Sequence, residues 1–163
     1  MKKHVWCLLG FCFFLGACET ESEAWMPDEK PDDFNFSLHF GYGAQNELNT
    51  FEDTFTKDLI EDGQVTTEMV LTDEEMERIY TNMREADVLG VSDNTEGSTC
   101  SDPHHSYQLV LQADGEEFRD SWNTSCETEA TTRWESFMDF LVSDIIEPRP
   151  EYQALPEPTG GYD

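Results

Sequence analysis

Basic residues are scarce in this 163-residue chain: nine Lys and Arg stand against 36 Asp and Glu, for a formal charge of −27 at pH 7. A surface of that sign repels phosphates and anionic lipid headgroups, which excludes nucleic acid as a partner. Long apolar runs are missing too. The most apolar stretch, from Val5 to Leu15, falls short of the ~20 residues that a helix needs to cross a bilayer. Catalytic signatures are also absent: there is no Gly-x-Ser-x-Gly elbow, no His-Glu-x-x-His and no phosphate-binding Gly-Lys-Ser/Thr. The glycine-rich fragment "GYGAQN", residues 41 to 46, has Asn46 where a dinucleotide fingerprint needs its third glycine and opens no helix, so it reads as a turn. Carboxylate pairs occur throughout, and only burial would single one out for catalysis. The expectation is a protein that is not an enzyme and carries no cofactor.

What is present begins at the N-terminus. Lys2 and Lys3 precede the short apolar segment, and small Gly16 and Ala17 lead into Cys18, the layout of a secretory signal. The ending Leu15-Gly16-Ala17-Cys18 resembles the lipobox of bacterial lipoproteins, which implies acylation of Cys18, its place as first residue of the mature chain, and attachment to the lipid bilayer. Several acyl chains hold a protein firmly where one gives only marginal binding. Residues 1–17 hold two lysines and no acid, so their removal takes the formal charge from −27 to −29. Such a charge favours a cationic protein partner or divalent ions; a solvated surface suited to a saline habitat explains it equally well.

The mature chain is long enough for one domain. Residues 18–33 are acidic and poor in apolar groups and read as a flexible spacer. A folded domain spans 34–147. A proline-rich tail covers 148–163, in which Tyr152 and Leu155 are placed to pack back on the domain.

Within 34–147, "FNFSLHF" alternates Phe34, Phe36, Leu38 and Phe40 with Asn35, Ser37 and His39, the period of a strand with one buried face. "TFTKDLI" and "QVTTEMVLT" flank Asp62-Gly63, and "YQLVLQA" and "EEFRDSW" flank Asp114-Gly115, which predicts two hairpins. Thr72-x-x-Glu75 is a capping-box pattern, and Met76, Ile79, Tyr80 and Met83 follow at helical spacing. Trp134, Phe137, Met138, Leu141 and Ile145 form a second helical stripe. The strand–Asp-Gly–strand–helix unit thus occurs twice. The fold class is α+β: a two-layer arrangement of an antiparallel sheet, built from an N-terminal strand and two hairpins, with two helices on one face. The other sheet face, rich in Thr, Asp, Glu and Gln, meets water or a partner.

Cys7 and Cys12 leave with the signal and Cys18 is the lipid attachment point, which leaves Cys100 and Cys126 as a disulfide pair in an oxidising compartment. They bracket the second hairpin, whose antiparallel strands return the chain to its start. The same loop, "CSDPHHSY", also offers His104 and His105 as weak metal candidates, with Cys126 completing a zinc-like cluster or a Cys-His dyad. The spacing matches no common zinc pattern, and a disulfide would consume both thiols. "SDNTEGSTCSD" is a poor calcium loop because its glycine is misplaced.

"NELNTFEDTFTKDLIEDGQVTT", "LTDEEMERIYTNM" and "IIEPRPEYQALPE" together resemble blocks of small bacterial lipoproteins and related exported proteins of unknown activity. The resemblance implies one exported domain anchored to a cell membrane or outer membrane, and no catalytic residue, cofactor or metal. It marks Thr50, Phe51, Thr54, Thr56, Lys57 and Asp58, for which a strand-and-turn role suffices; a salt bridge accounts for Lys57. Two functions follow as expectations. One is a non-catalytic binding or envelope-associated module; the other is an inhibitor or protective protein that captures a cationic enzyme such as lysozyme. A metal-binding protein or enzyme is the distant third.

Overall fold

The computed structural model describes residues 26–91, 100–101 and 103–162. Six antiparallel strands form one sheet: β1 (Asn35–Phe40), β2 (Asn46–Asn49), β3 (Thr54–Asp58), β4 (Gln64–Glu68), β5 (Ser106–Ala113) and β6 (Glu116–Asn123). Their spatial order is β4-β3-β2-β1-β5-β6. The two hairpins therefore flank the β1–β2 pair on opposite sides. Helices α1 (Asp73–Glu85) and α2 (Glu129–Phe140) follow the hairpins, as the stripes predict. The α+β architecture is as expected, with β2 as an added strand.

Alternation sets which face is buried. Phe36, Leu38 and Phe40 on β1 and Tyr107, Leu109, Leu111 and Ala113 on β5 point inward, against Ile79, Tyr80 and Met83 of α1 and Trp134, Phe137 and Met138 of α2. The outward face pairs polar side chains across strands: Ser37 Oγ donates to Glu47 Oε1 at 2.8 Å, and the hydroxyls of Thr56 and Thr66 meet at 2.8 Å.

The Asp114-Gly115 hairpin is a two-residue turn with both residues at positive φ, as the sequence predicts. Asp33 caps it, accepting from the backbone N–H of Asp114 at 2.7 Å and of Gly115 at 2.8 Å. The other hairpin turns through five residues between Asp58 and Gln64, with Ile60 at φ 63°. A β-branched residue rarely adopts that conformation, so neighbouring contacts must hold it. They come from the tail: Ile60 and Thr159 form a parallel bridge, and Thr159 N donates to Leu59 O at 3.2 Å.

The packed body extends beyond 34–147 on both sides, into the segment expected to be a flexible spacer and into the tail, where Tyr152 and Leu155 pack back. Residues 26–33, assigned from composition to the spacer, dock on α1: Met26 is buried, Tyr80 donates to Pro27 O at 2.7 Å, and Arg84 pairs with Asp28. One methionine and two backbone carbonyls achieve this in an otherwise acidic run, a signal too sparse for hydrophobic patterning. In the tail, α3 (Pro150–Gln153) brings Tyr152 edge-on to Phe55, with ring centroids 5.5 Å apart. Leu155 packs on the core as well. The tail thus covers the β3–β4 end of the sheet, which α1 and α2 leave to it.

α2 does not stop at Phe140. It continues as a π-helical segment over Leu141–Ile146, closed by Glu147 N donating to Val142 O five residues back. The extra residue per turn lets Leu141, Ile145 and Ile146 all face inward. Pro148 then ends the helix.

Candidate functional site

A half-open cleft of about 570 Å³ lies where the C-terminal end of β1, the N-terminal end of β5, α2 and the tail converge. Its size falls within the range of small-ligand sites, about 300–1,000 Å³. Phe40, Met138 and Val142 supply apolar wall, Tyr42, Tyr107 and Tyr162 supply rings, and Glu135 and Asp139 supply charge.

Each wall has a local cause. β1 ends in a reversal at Gly41, whose φ of +93° would strain any other residue and where an added Cβ would press on the end of the Asn46 side chain. Gly41 O then accepts from Ser106 N at 2.9 Å, and Tyr42 bridges to His105, so the β1 exit is tied to the β5 entrance. On α2, Glu135, Met138, Asp139 and Val142 recur at i, i+3, i+4 and i+7 and so share one face. That face is set by a capping box: Thr128 accepts from Thr131 N at 3.1 Å, while Thr131 Oγ1 accepts from Thr128 N at 2.8 Å. The third wall comes from the tail. Thr159 Oγ1 donates to Asp62 at 2.6 Å and the Tyr162 hydroxyl donates to Asp58, which lays the Tyr162 ring on Tyr42 with centroids 4.1 Å apart.

Beneath the cleft is an aromatic stack. Tyr107 lies parallel to Trp122 at 5.9 Å and edge-on to Trp134 at 5.4 Å. Burial pushes the Tyr107 phenol up to about 12, and the carboxylates of Glu135 and Asp139 act in the same direction. The phenol therefore stays neutral across the physiological range. Its hydroxyl stands 3.5 Å from His105 Nδ1 and makes the floor polar.

Cys100 and Cys126 are at disulfide-bonding distance, with Cα atoms 4.9 Å apart, at the positions expected from the second hairpin. This pair bears on the cleft because Cys126 directly precedes the α2 cap, its carbonyl accepting from Thr131 Oγ1 at 3.0 Å. Ser101 Oγ, beside Cys100, donates to Ser125 O at 2.9 Å. The cross-link so fixes α2 against the entrance to β5, two of the three walls.

His104 and His105 separate: a His104 ring nitrogen meets Ser101 O at 3.0 Å, whereas His105 sits on the cleft rim. Among the described residues no three His, Cys, Asp or Glu side chains gather as a metal site. Cys18, and residues 92–99 and 102 of the loop considered for calcium, lie outside the described residues. Lys57 is buried, with Nζ 3.8 Å from Glu157 and 4.7 Å above the Tyr152 ring, so this residue clamps the tail. No helix among the described residues is long and apolar enough to cross a membrane.

The sequence reading missed the cleft. Its residues lie far apart in the chain, and the one local trace was the Glu135/Asp139 pair at i, i+4 beside an apolar stripe. Comparison with protein-family models and with curated proteins returned no match.

Proposed function

We propose that this protein is an exported, lipid-anchored bacterial binding module, non-catalytic, whose partner is a cationic protein. The observation that carries the reading is a cleft that combines three tyrosine rings and two carboxylates with no Lys or Arg in its lining. Aromatic faces and carboxylates both favour a positive guest. The formal charge of −27 extends the same preference over long range, by raising the encounter rate of a basic protein at low salt. Support for export comes from the Leu15-Gly16-Ala17-Cys18 ending and from a cysteine pair at disulfide-bonding distance, which persists in oxidising compartments.

The experiment has two parts. Detergent phase partition of the chain expressed in bacteria, with and without Cys18→Ser, reads the anchor; the wild type is expected in the detergent phase and the variant in the aqueous phase. Binding to lysozyme as a cationic probe is measured from about 20 to 300 mM salt, and the association rate should fall steeply over that range. A wild-type chain that stays aqueous would sink the anchor, and absence of binding to any basic protein at low salt would sink the partner class. The inhibitor reading is favoured by the same charge and predicts loss of the captured enzyme's activity in the same titration.

A further inference from the structure

The cationic-partner reading leaves open where on the molecule the cation sits. We propose that the cleft receives an arginine side chain of a basic polypeptide, its guanidinium lying against the Tyr42–Tyr162 pair and bridging to Glu135 and Asp139. This rests on the reading above and assigns it a place.

Among the described residues the protein's own cations lie away from this cleft. All five arginines are engaged elsewhere: Arg78 with Asp144, Arg84 with Asp28, Arg119 with Glu117, Arg133 with Asp87 and Glu129, and Arg149 with Glu75 and Glu151. Lys57 is committed to Glu157, and Lys30 lines a separate pocket with Asp32 and Asp53. Among the described residues Glu135 and Asp139 carry no ion pair; both are exposed, and they share a helical face that lines the half-open cleft. Two like charges one turn apart repel each other. A cation between them would relieve that repulsion, and no described side chain of the protein fills the place.

The rings narrow the choice of cation. Tyr42 and Tyr162 stack on each other with an interplanar angle of 24°, which leaves the outer ring faces, with Tyr162 exposed, to a guest; a planar guanidinium stacks on such a face while offering forked donors to carboxylates. An ammonium can sit over a ring and donate to a carboxylate as a point charge, but it has neither the planar face nor the fork. The apolar wall of Phe40, Met138 and Val142 suits the methylene stem of a long side chain. A volume of about 570 Å³ exceeds one guanidinium head, which leaves room for the stem and the flanking backbone and so favours an arginine within a polypeptide over a small free cation. The wall also carries the π-helical turn at Val142 and Ser143, an irregularity often found at functional sites.

The test is calorimetric titration of the full chain in detergent at 150 mM salt with blocked Ala-Arg-Ala, Ala-Lys-Ala and Ala-citrulline-Ala peptides, and with acetyl-arginine amide. Saturable 1:1 binding of the arginine peptide is expected. Lysine should bind at least about fivefold more weakly, and citrulline, which has the shape without the charge, should not bind. Glu135→Gln with Asp139→Asn should weaken the arginine peptide by about tenfold or more. Tyr42→Ala should weaken it too, with an unchanged melting temperature showing that the variant is folded. Glu77→Gln with Glu116→Gln, which removes two exposed charges far from the cleft, should change affinity by less than about twofold at this salt. Equal losses from the two charge-removing pairs would overturn the cleft assignment while leaving the cationic-partner reading intact. Binding of acetyl-arginine amide as tight as that of the peptide would overturn the polypeptide in favour of a small cation. Equal binding of the lysine peptide would overturn the choice of arginine. Failure of every cationic peptide alongside retained binding of lysozyme would overturn the inference alone, and failure of both would overturn both.

Discussion

At the residue scale, two side chains show how this acidic chain uses its few cations. Glu75 is partly buried, which by itself raises its pKa; the N–H and hydroxyl of Thr72 and the guanidinium of Arg149 outweigh that and hold the carboxyl below the usual glutamate range. Its folded value is depressed, so its stabilisation is present above the ordinary glutamate pKa and is lost as pH falls through the folded value. Glu75→Gln is expected to cost about 1 kcal/mol at pH 7 and to flatten the acid limb of a stability-against-pH curve measured by urea unfolding. An acid limb as steep as that of the wild type would refute the assignment. Lys57 makes the opposite case. Its ammonium is buried beside a single exposed carboxylate at 3.8 Å, so desolvation offsets much of the attraction. Lys57→Met keeps the stem over Tyr152 and removes the charge. It should lie within about 1 kcal/mol of wild-type stability, whereas Lys57→Glu should be lower by about 3 kcal/mol or more in the same unfolding experiment.

At the element scale, the cross-link and the α2 cap act on the same piece of structure. The 26-residue separation of Cys100 and Cys126 implies about 3–4 kcal/mol of stabilisation from the constrained unfolded chain. Replacing both by serine should lower the unfolding midpoint accordingly, and a mass of the wild type two protons below its reduced value would show the bond directly. Thr128→Ala removes one side of the capping box and should cost about 1 kcal/mol. These elements were legible because their signals are local: alternating Phe and Leu on β1, Asp-Gly turns, Thr72-x-x-Glu75 and the two apolar stripes. β2 was not, because a four-residue strand with one buried side chain, Leu48, has no period to detect. The π-helical turn escaped for a related reason: Leu141, Ile145 and Ile146 fit a helical stripe, and nothing in their spacing reveals a bond five residues back.

At the scale of the whole molecule, 36 acidic residues against nine basic ones mean that folding compresses like charge. Raising ionic strength from about 10 to 150 mM shortens the screening length from about 30 to 8 Å and should raise the melting temperature, followed by circular dichroism at fixed pH. A melting temperature independent of salt would show that the self-repulsion is already neutralised locally. The charge itself was plain in the sequence, but its arrangement was not. Glu135 looks no different in sequence from Glu77, and only the fold brings it together with Tyr42 and Tyr162, which chain order places far away. Strand order carries a separate consequence for β6. It closes one side of the sheet, and its outer rim bears Glu116, Glu117 and Asp120, while Arg119 is already taken by Glu117 at 2.7 Å. A second copy approaching edge to edge would find carboxylates where it needs free backbone partners, so crowding many copies into one thin layer should leave them as separate particles and not as ribbons.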